Sequence, residues 1–233
     1  MIAVTFALPQ ESKGLARYLV RDRTTKARGS FLTGTIGQRE VAICHTGIGV
    51  EPARRALREL MKLHRPRALI SAGFAGGLDP RLQIADLLVA TNFSDPDLLD
   101  ATRHLCMEGR HCYFGTMTTQ PQAAETTESK FLLAWQTGAS VVDMETAAIV
   151  EACRGFGLPM LSIRSVSDIA GESLPIPFPV WFDIKKQKPR VLPLLHYLVR
   201  HPRQIAPFAH FVLGVNRARA RLTDYLLELI PSL

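Results

Sequence analysis

The feature that most constrains this chain is residues 141–172, VVDMETAAIVEACRGFGLPMLSIRSVSDIAGE. Asp143 and Glu145 open it, and Ala147, Ala148, Ile149 and Ala152 follow at helical spacing until Gly155 and Gly157 stop the helix. Pro159 then leads into an apolar run that ends in Ser167 and Asp168, the pattern of a buried strand. A helix start and a strand end are the two places where an open α/β sheet does its chemistry. Carboxylates therefore stand at both. The positive end of a helix is expected to keep Glu145 ionised, and the mouth of a buried strand to push Asp168 toward its protonated form. One anion and one proton donor make an acid/base pair; the same residues also serve as ordinary first-turn acids and a helix cap.

Two stretches separate these readings. Val142-Asp143-Met144-Glu145-Thr146-Ala147 and Arg164-Ser165-Val166-Ser167-Asp168 resemble the signature motifs of the nucleoside phosphorylase/nucleosidase family. This is the purine and uridine phosphorylase type, which includes the methylthioadenosine/S-adenosylhomocysteine nucleosidases. The resemblance implies a three-layer α/β/α domain around a central mixed, twisted sheet, and cleavage of the N-glycosidic bond of a purine nucleoside. It puts the proton donor to the base at Asp168, the partner of the ribose hydroxyls at Glu145 and the carboxylate that orients water at Glu11. Met144, Asp143 and Ser167 are implied substrate contacts.

Along the chain, residues 2–8 read as a buried strand, and Pro9, Gln10 and Glu11 open a short helix just past its carboxyl end. Residues 31–37 and 40–44 read as a hairpin turned at Gly37-Gln38. His45-Thr46-Gly47-Ile48-Gly49-Val50 then gives a strand end, a glycine turn and the start of a basic amphipathic helix reaching about His64. Outward backbone N–H groups at such a turn make Gly47 and Ile48 a candidate ribose or anion site. Ala53 stands where a dinucleotide fingerprint ends, and no Walker A sequence occurs. A nicotinamide cofactor or a nucleoside triphosphate is not expected.

Residues 68–71 read as a short strand that breaks at Ala72-Gly73-Phe74-Ala75-Gly76-Gly77-Leu78, where glycines permit a tight turn or close approach to a ligand. This stretch and Ile84-Ala85-Asp86-Leu87-Leu88-Val89 resemble the family's central loop and next strand, which implies ribose contacts at Gly73, Phe74, Ala75 and Gly76. Where phosphorylases of the bacterial hexameric kind keep a phosphate-binding arginine, this chain has Ser71. A phosphate dianion needs fixed cationic or N–H donors, so water is the expected nucleophile and inorganic phosphate the alternative.

Residues 92–115 read as an irregular polar connection holding His104, Cys106, His111 and Cys112, whose spacing matches no zinc finger. No metal is expected. Residues 113–118 read as a strand, and residues 125–135 as a helix with Phe131, Leu132 and Trp135 on its core side. Between them the family offers an aromatic to stack on the base, and TQPQAA at 119–124 has none.

The chain's 233 residues, 47% apolar, suit one large α/β domain. Apolar runs are too short for a membrane span, no signal-peptide pattern precedes the first strand, and Cys44, Cys106, Cys112 and Cys153 are scattered. The cysteines are read as free thiols, and cytoplasmic residence is expected. The net charge of +7 is local, because residues 185–221 hold nine Lys and Arg with no Asp or Glu, leaving −2 for the rest. Residues 1–184 are read as the catalytic domain and 185–233 as a basic amphipathic helical tail, packed on it or extending from it.

Before the tail, Pro175, Pro177 and Pro179 alternate with Phe178, Trp181 and Phe182, as a loop closing over a pocket or a rigid connector. Three readings apply to the tail itself: a solvated face, a peripheral contact with anionic inner membrane, or nucleic acid. Aromatics do not alternate with its cations as stacked bases require, so nucleic acid is not expected. The tail also resembles that of the hopanoid-associated nucleoside phosphorylase group, which implies phosphorolysis of adenosylhopane as an alternative.

The combined reading is hydrolysis of a purine nucleoside, with adenine the expected base, by Asp168, Glu11 and Glu145. No cofactor is expected beyond water or phosphate as co-substrate, and the resemblance implies a homo-oligomer. The remaining alternative is a non-catalytic nucleoside-binding or membrane-associated protein, which would have no need of a proton donor.

Overall fold

In the computed structural model, which describes residues 1–20, 31–106 and 111–233, β1 (Ile2–Phe6) alternates large and small side chains. Ile2, Val4 and Phe6 enter one apolar cluster and Ala3 another, as period-two alternation requires of a strand covered on both faces. Pro9 sets the first turn of α1 (Pro9–Ala16). β2 (Phe31–Ile36) and β3 (Arg39–His45) form the expected antiparallel hairpin, followed by α2 (Val50–Leu63). Next come β4 (Ala68–Gly77), β5 (Leu87–Ala90), α3 (Pro96–Thr102), β6 (Cys112–Gly115) and β7 (Met117–Thr119). They lead to α4 (Thr127–Thr137), β8 (Val141–Asp143), α5 (Thr146–Phe156) and β9 (Met160–Asp168). A short α6 (Phe178–Trp181), the two-residue strands β10 (Phe182–Asp183) and β11 (Lys188–Pro189), α7 (Val191–Arg200) and α8 (Ile205–Ser232) complete the chain.

Among the described residues one mixed sheet runs β2-β3-β1-β4-β9-β5-β6, with β8 paired to β4 and β7 to β8. β3, β1, β4 and β9 are mutually parallel, so the segments after Phe6, His45, Gly77 and Asp168 leave the sheet at the same edge. α2 and α5 cover one face through Leu57, Leu60, Ile149 and Cys153. α1 and α8 cover the other through Leu15, Leu222, Leu226 and Leu229. This is the expected three-layer α/β/α arrangement. Burying one such side chain contributes about 1.5–3 kcal/mol, so the second half of α8 belongs to the main core, whereas α7 buries none of its residues.

Several local expectations are corrected. β4 does not break at Ala72 but continues to Gly77 with an irregular register after Ala75. Asp143 closes β8 and Glu145 occupies the N-cap position of α5, so neither is a first-turn acid. Residues 92–115 contain α3 and β6; positions 107–110 of that connection lie outside the described residues. The single strand expected at 113–118 is two, β6 and β7, because each finds a different partner, β5 and β8. Cys106 and Cys112, expected as free thiols, are joined in a disulfide, while Cys44 and Cys153 are free and buried.

The helix expected at 125–135 is present as α4, started by the reciprocal bonds of Thr126 and Ser129 and ended by Gly138 in the left-handed region. Its orientation is the reverse of the expected one. Phe131 and Trp135 are 73% and 77% exposed, and the buried side chain is Lys130, at 0%. Lys130 turns inward because three oxygen acceptors lie beneath the helix; a buried ammonium is tolerated only with such partners.

Candidate active site

A cavity of about 410 Å³ opens at the shared edge of the parallel strands. Of the expected site residues, Glu11, Ile48, Phe74, Ala75, Gly76, Asp143, Met144, Glu145, Ser167 and Asp168 line it. Gly73 instead borders a smaller cavity, and Gly47 borders neither. Gly47, with φ +76°, and Gly49, with φ +101°, shape the turn before α2 in a region of backbone space that other residues avoid.

Glu11 lies in the first turn of α1, where its Oε2 accepts from the Leu8 N–H at 2.7 Å and its Oε1 from the Phe74 N–H at 3.3 Å. A β-carbon at position 73 would meet Glu11 Oε1 at 3.2 Å, and one at position 76 would meet Asp168 Oδ2 at 3.2 Å. The two glycines therefore make room for two carboxylates. Burial pushes the Glu11 carboxyl above its ordinary value, against the opposing pull of the Leu8 and Phe74 N–H groups and the charge of Arg164.

Glu145 accepts from the Gly49 N–H at 3.2 Å. Burial first, then the charges of Asp143 and Glu11, push it up to about 8. The expectation that a helix end keeps Glu145 ionised is thus overturned, since desolvation and two neighbouring carboxylates outweigh the helix field. Asp143 has its carboxylate occupied inside the protein. It accepts from Thr119 Oγ1 at 2.7 Å and from Arg164 Nη2 at 2.8 Å, and from both the N–H and the hydroxyl of Thr146.

Asp168 sits at the end of β9, where its Oδ1 accepts from Ser167 Oγ at 2.6 Å and its Oδ2 is ion-paired with Lys130 Nζ at 2.6 Å. In place of the apolar mouth expected there, the carboxylate meets a buried cation. Sequence reasoning missed Lys130; the available signal was a single lysine between the helix start at Thr126 and an apolar run.

Leu174, Phe178, Trp181, Phe182, Pro189 and Val215 also line the cavity, so the proline-rich segment walls the site with apolar and aromatic side chains. Gln187 ties this segment to the glycine turn, accepting from the Ile48 N–H at 2.7 Å and donating to the Ile48 carbonyl at 2.8 Å. The smaller cavity, about 10 Å³, is bordered by Glu11, Ser71, Gly73, Glu145 and Arg164, enough for one water. Arg164 donates to the Ser71 carbonyl and hydroxyl, the Ile163 carbonyl, Asp143 and Thr146 Oγ1. These partners take up all five guanidinium N–H groups.

A family model described as the phosphorylase superfamily matches residues 1–105 and 92–190. The 5′-methylthioadenosine/S-adenosylhomocysteine nucleosidase of Anoxybacillus flavithermus is 29% identical over 209 residues, 76% of this chain and 89% of that protein. The protein of the same name from Halalkalibacterium halodurans is 32% identical over 181 residues, 63% and 75% of the two chains. Among solved structures, futalosine hydrolase of Helicobacter pylori matches with a TM-score of 0.73 at 19% identity, over 100% and 97% of the chains. The S. pneumoniae 5′-methylthioadenosine/S-adenosylhomocysteine nucleosidase, solved with a transition-state inhibitor, matches with a TM-score of 0.75 at 20% identity, over 99% and 98%. The fold agrees with these structures, and the family model spans most of the length that builds the working edge: the chain belongs to the phosphorylase superfamily.

Proposed function

We propose that this chain hydrolyses the N-glycosidic bond of an adenine nucleoside, with water as co-substrate and no further cofactor. Departure of the base leaves an oxocarbenium-like ribose, so assistance is needed at both ends of the breaking bond. Asp168 gives its proton to N7 of the base, which leaves as a neutral molecule. Glu145 bonds the ribose hydroxyls, and Met144 packs against the sugar. Glu11 takes a proton from the water whose oxygen bonds to C1′. Burial raises Glu11 and Glu145 above their ordinary values; a cation developing at C1′ favours their ionised forms and is stabilised by them in return.

The observation that carries hydrolysis over phosphorolysis is the state of Arg164. Among the described residues it is the one Lys or Arg bordering either cavity, and its donors are already engaged. A phosphate dianion would face Glu11 and Glu145 with no free guanidinium, whereas the 10 Å³ space suits a water. The relatives are hydrolases by name, which supports the same reading. The apolar wall of Leu174, Phe178, Trp181, Phe182 and Val215 suits an apolar 5′ substituent, whether an alkylthio group or the lipid chain implied by the tail's resemblance.

The protein is read as a cytoplasmic enzyme that self-associates and touches anionic membrane through α7; no helix among the described residues is long and apolar enough to cross a membrane. The test of the chemistry is Asp168→Asn, with adenine release from 5′-methylthioadenosine followed by absorbance. One positioned acid contributes about a hundred- to ten-thousandfold in rate, so release falls by that factor while thermal unfolding stays close to that of the parent. A parent-like rate removes Asp168 from the mechanism.

A further inference from the structure

We infer that Lys130 is a positioning residue for Asp168, fixing the carboxyl that faces the base. The inference rests on the reading of Asp168 as the acid. Lys130 is fully buried under α4, and its ammonium has three acceptors: the Ile169 carbonyl at 2.7 Å, the Glu172 carbonyl at 2.8 Å and Asp168 Oδ2 at 2.6 Å. Three donors meet three oxygens, so the group is satisfied without water. With Ser167 Oγ on Oδ1, both oxygens of Asp168 are held, and the carboxyl cannot rotate away from the cavity.

A buried ion pair is a poor device for stability, because removing two charges from water costs about what their attraction returns. The ion pair has a use in catalysis: a cation against one oxygen and a hydroxyl against the other place the carboxyl rigidly. The same ammonium ties down the segment that walls the cavity. Residues 169–178 are laced to the start of α4 by Lys130, by the Thr127 N–H to Ser173 Oγ at 3.1 Å and by the Phe178 N–H to Glu125 Oε1 at 3.0 Å.

The test compares Lys130→Met and Lys130→Arg with the parent in kcat and in KM for adenine release, each determined separately and per folded molecule. Lys130→Gln, which keeps donors for the two carbonyls without the charge, is run beside them in case methionine lowers the yield of folded protein. With Met or Gln, kcat falls about a hundredfold while KM stays close to the parent value, the effect of a small misplacement of a reacting group. With Arg, which keeps the cation, part of kcat returns. A role confined to folding would lower the melting temperature and the yield of active protein but leave kcat per folded molecule at the parent value in every variant; that result overturns the inference while leaving the hydrolase reading intact. No base release by the parent overturns both.

Discussion

Glu145 and Glu11 are two buried carboxyl groups on one edge; burial raises both, and the charges of Asp143 and Glu11 raise Glu145 further. The folded chain therefore binds more protons than the unfolded chain between the ordinary value of 4.5 and about 8 at Glu145. Where the native state binds more protons, stability falls as pH rises. The expected outcome is a melting temperature highest near the lower end of that window and declining through it. At about 1.4 kcal/mol per unit of pKa, the effect is large for one side chain. Glu145→Gln removes the titrating group, so the decline flattens; an unchanged pH dependence in that variant would reject this account of the site's electrostatics. The site is unstable for the free protein, which fits a place built to meet a cationic transition state.

At the scale of elements, what was legible depended on whether a pattern had one physical solution. The glycine-stopped helix and apolar strand of residues 141–172 had one, and α5 and β9 follow it. β1 and the hairpin were equally plain. The ten-residue β4 was not legible beyond Ser71, because glycines suggest a turn unless one knows that Glu11 and Asp168 need the space their side chains would fill. α4 was found but faced the wrong way: Phe131, Leu132 and Trp135 mark an apolar stripe, and nothing local shows that acceptors at the end of β9 draw Lys130 inward.

α7 is exposed in the same way, with Leu192 and Val199 79% and 81% exposed and Lys185, Lys186, Lys188, Arg190, Arg200 and Arg203 in it or flanking it in sequence. Such a helix suits an anionic lipid surface. The protein should sediment with phosphatidylglycerol vesicles and much less with phosphatidylcholine. Leu192→Asp/Val199→Asp should lower that recovery roughly tenfold or more, since each buried apolar side chain contributes about 1.5–3 kcal/mol. Equal sedimentation of parent and variant would rule out the membrane contact of α7.

On the scale of the whole molecule, the parallel order β3-β1-β4-β9 brings the ends of distant segments to one edge. Glu11 comes from the segment after β1, Glu145 from the start of α5 and Asp168 from the last residue of β9. Residues far apart in the chain thereby border one 410 Å³ cavity, and the proline-rich segment and α8 add its apolar wall. The resemblance named this grouping from motifs; the engaged Arg164 and the water-sized space beside Glu11 came only with the fold. Those two features are what support the proposal that water is the nucleophile. The most direct measurement is adenine release from 5′-methylthioadenosine in buffer free of phosphate, with the sugar product identified by mass. The account predicts full rate without phosphate and an unphosphorylated sugar; a rate that is absent without phosphate and rises as it is added, giving the sugar 1-phosphate, would contradict it.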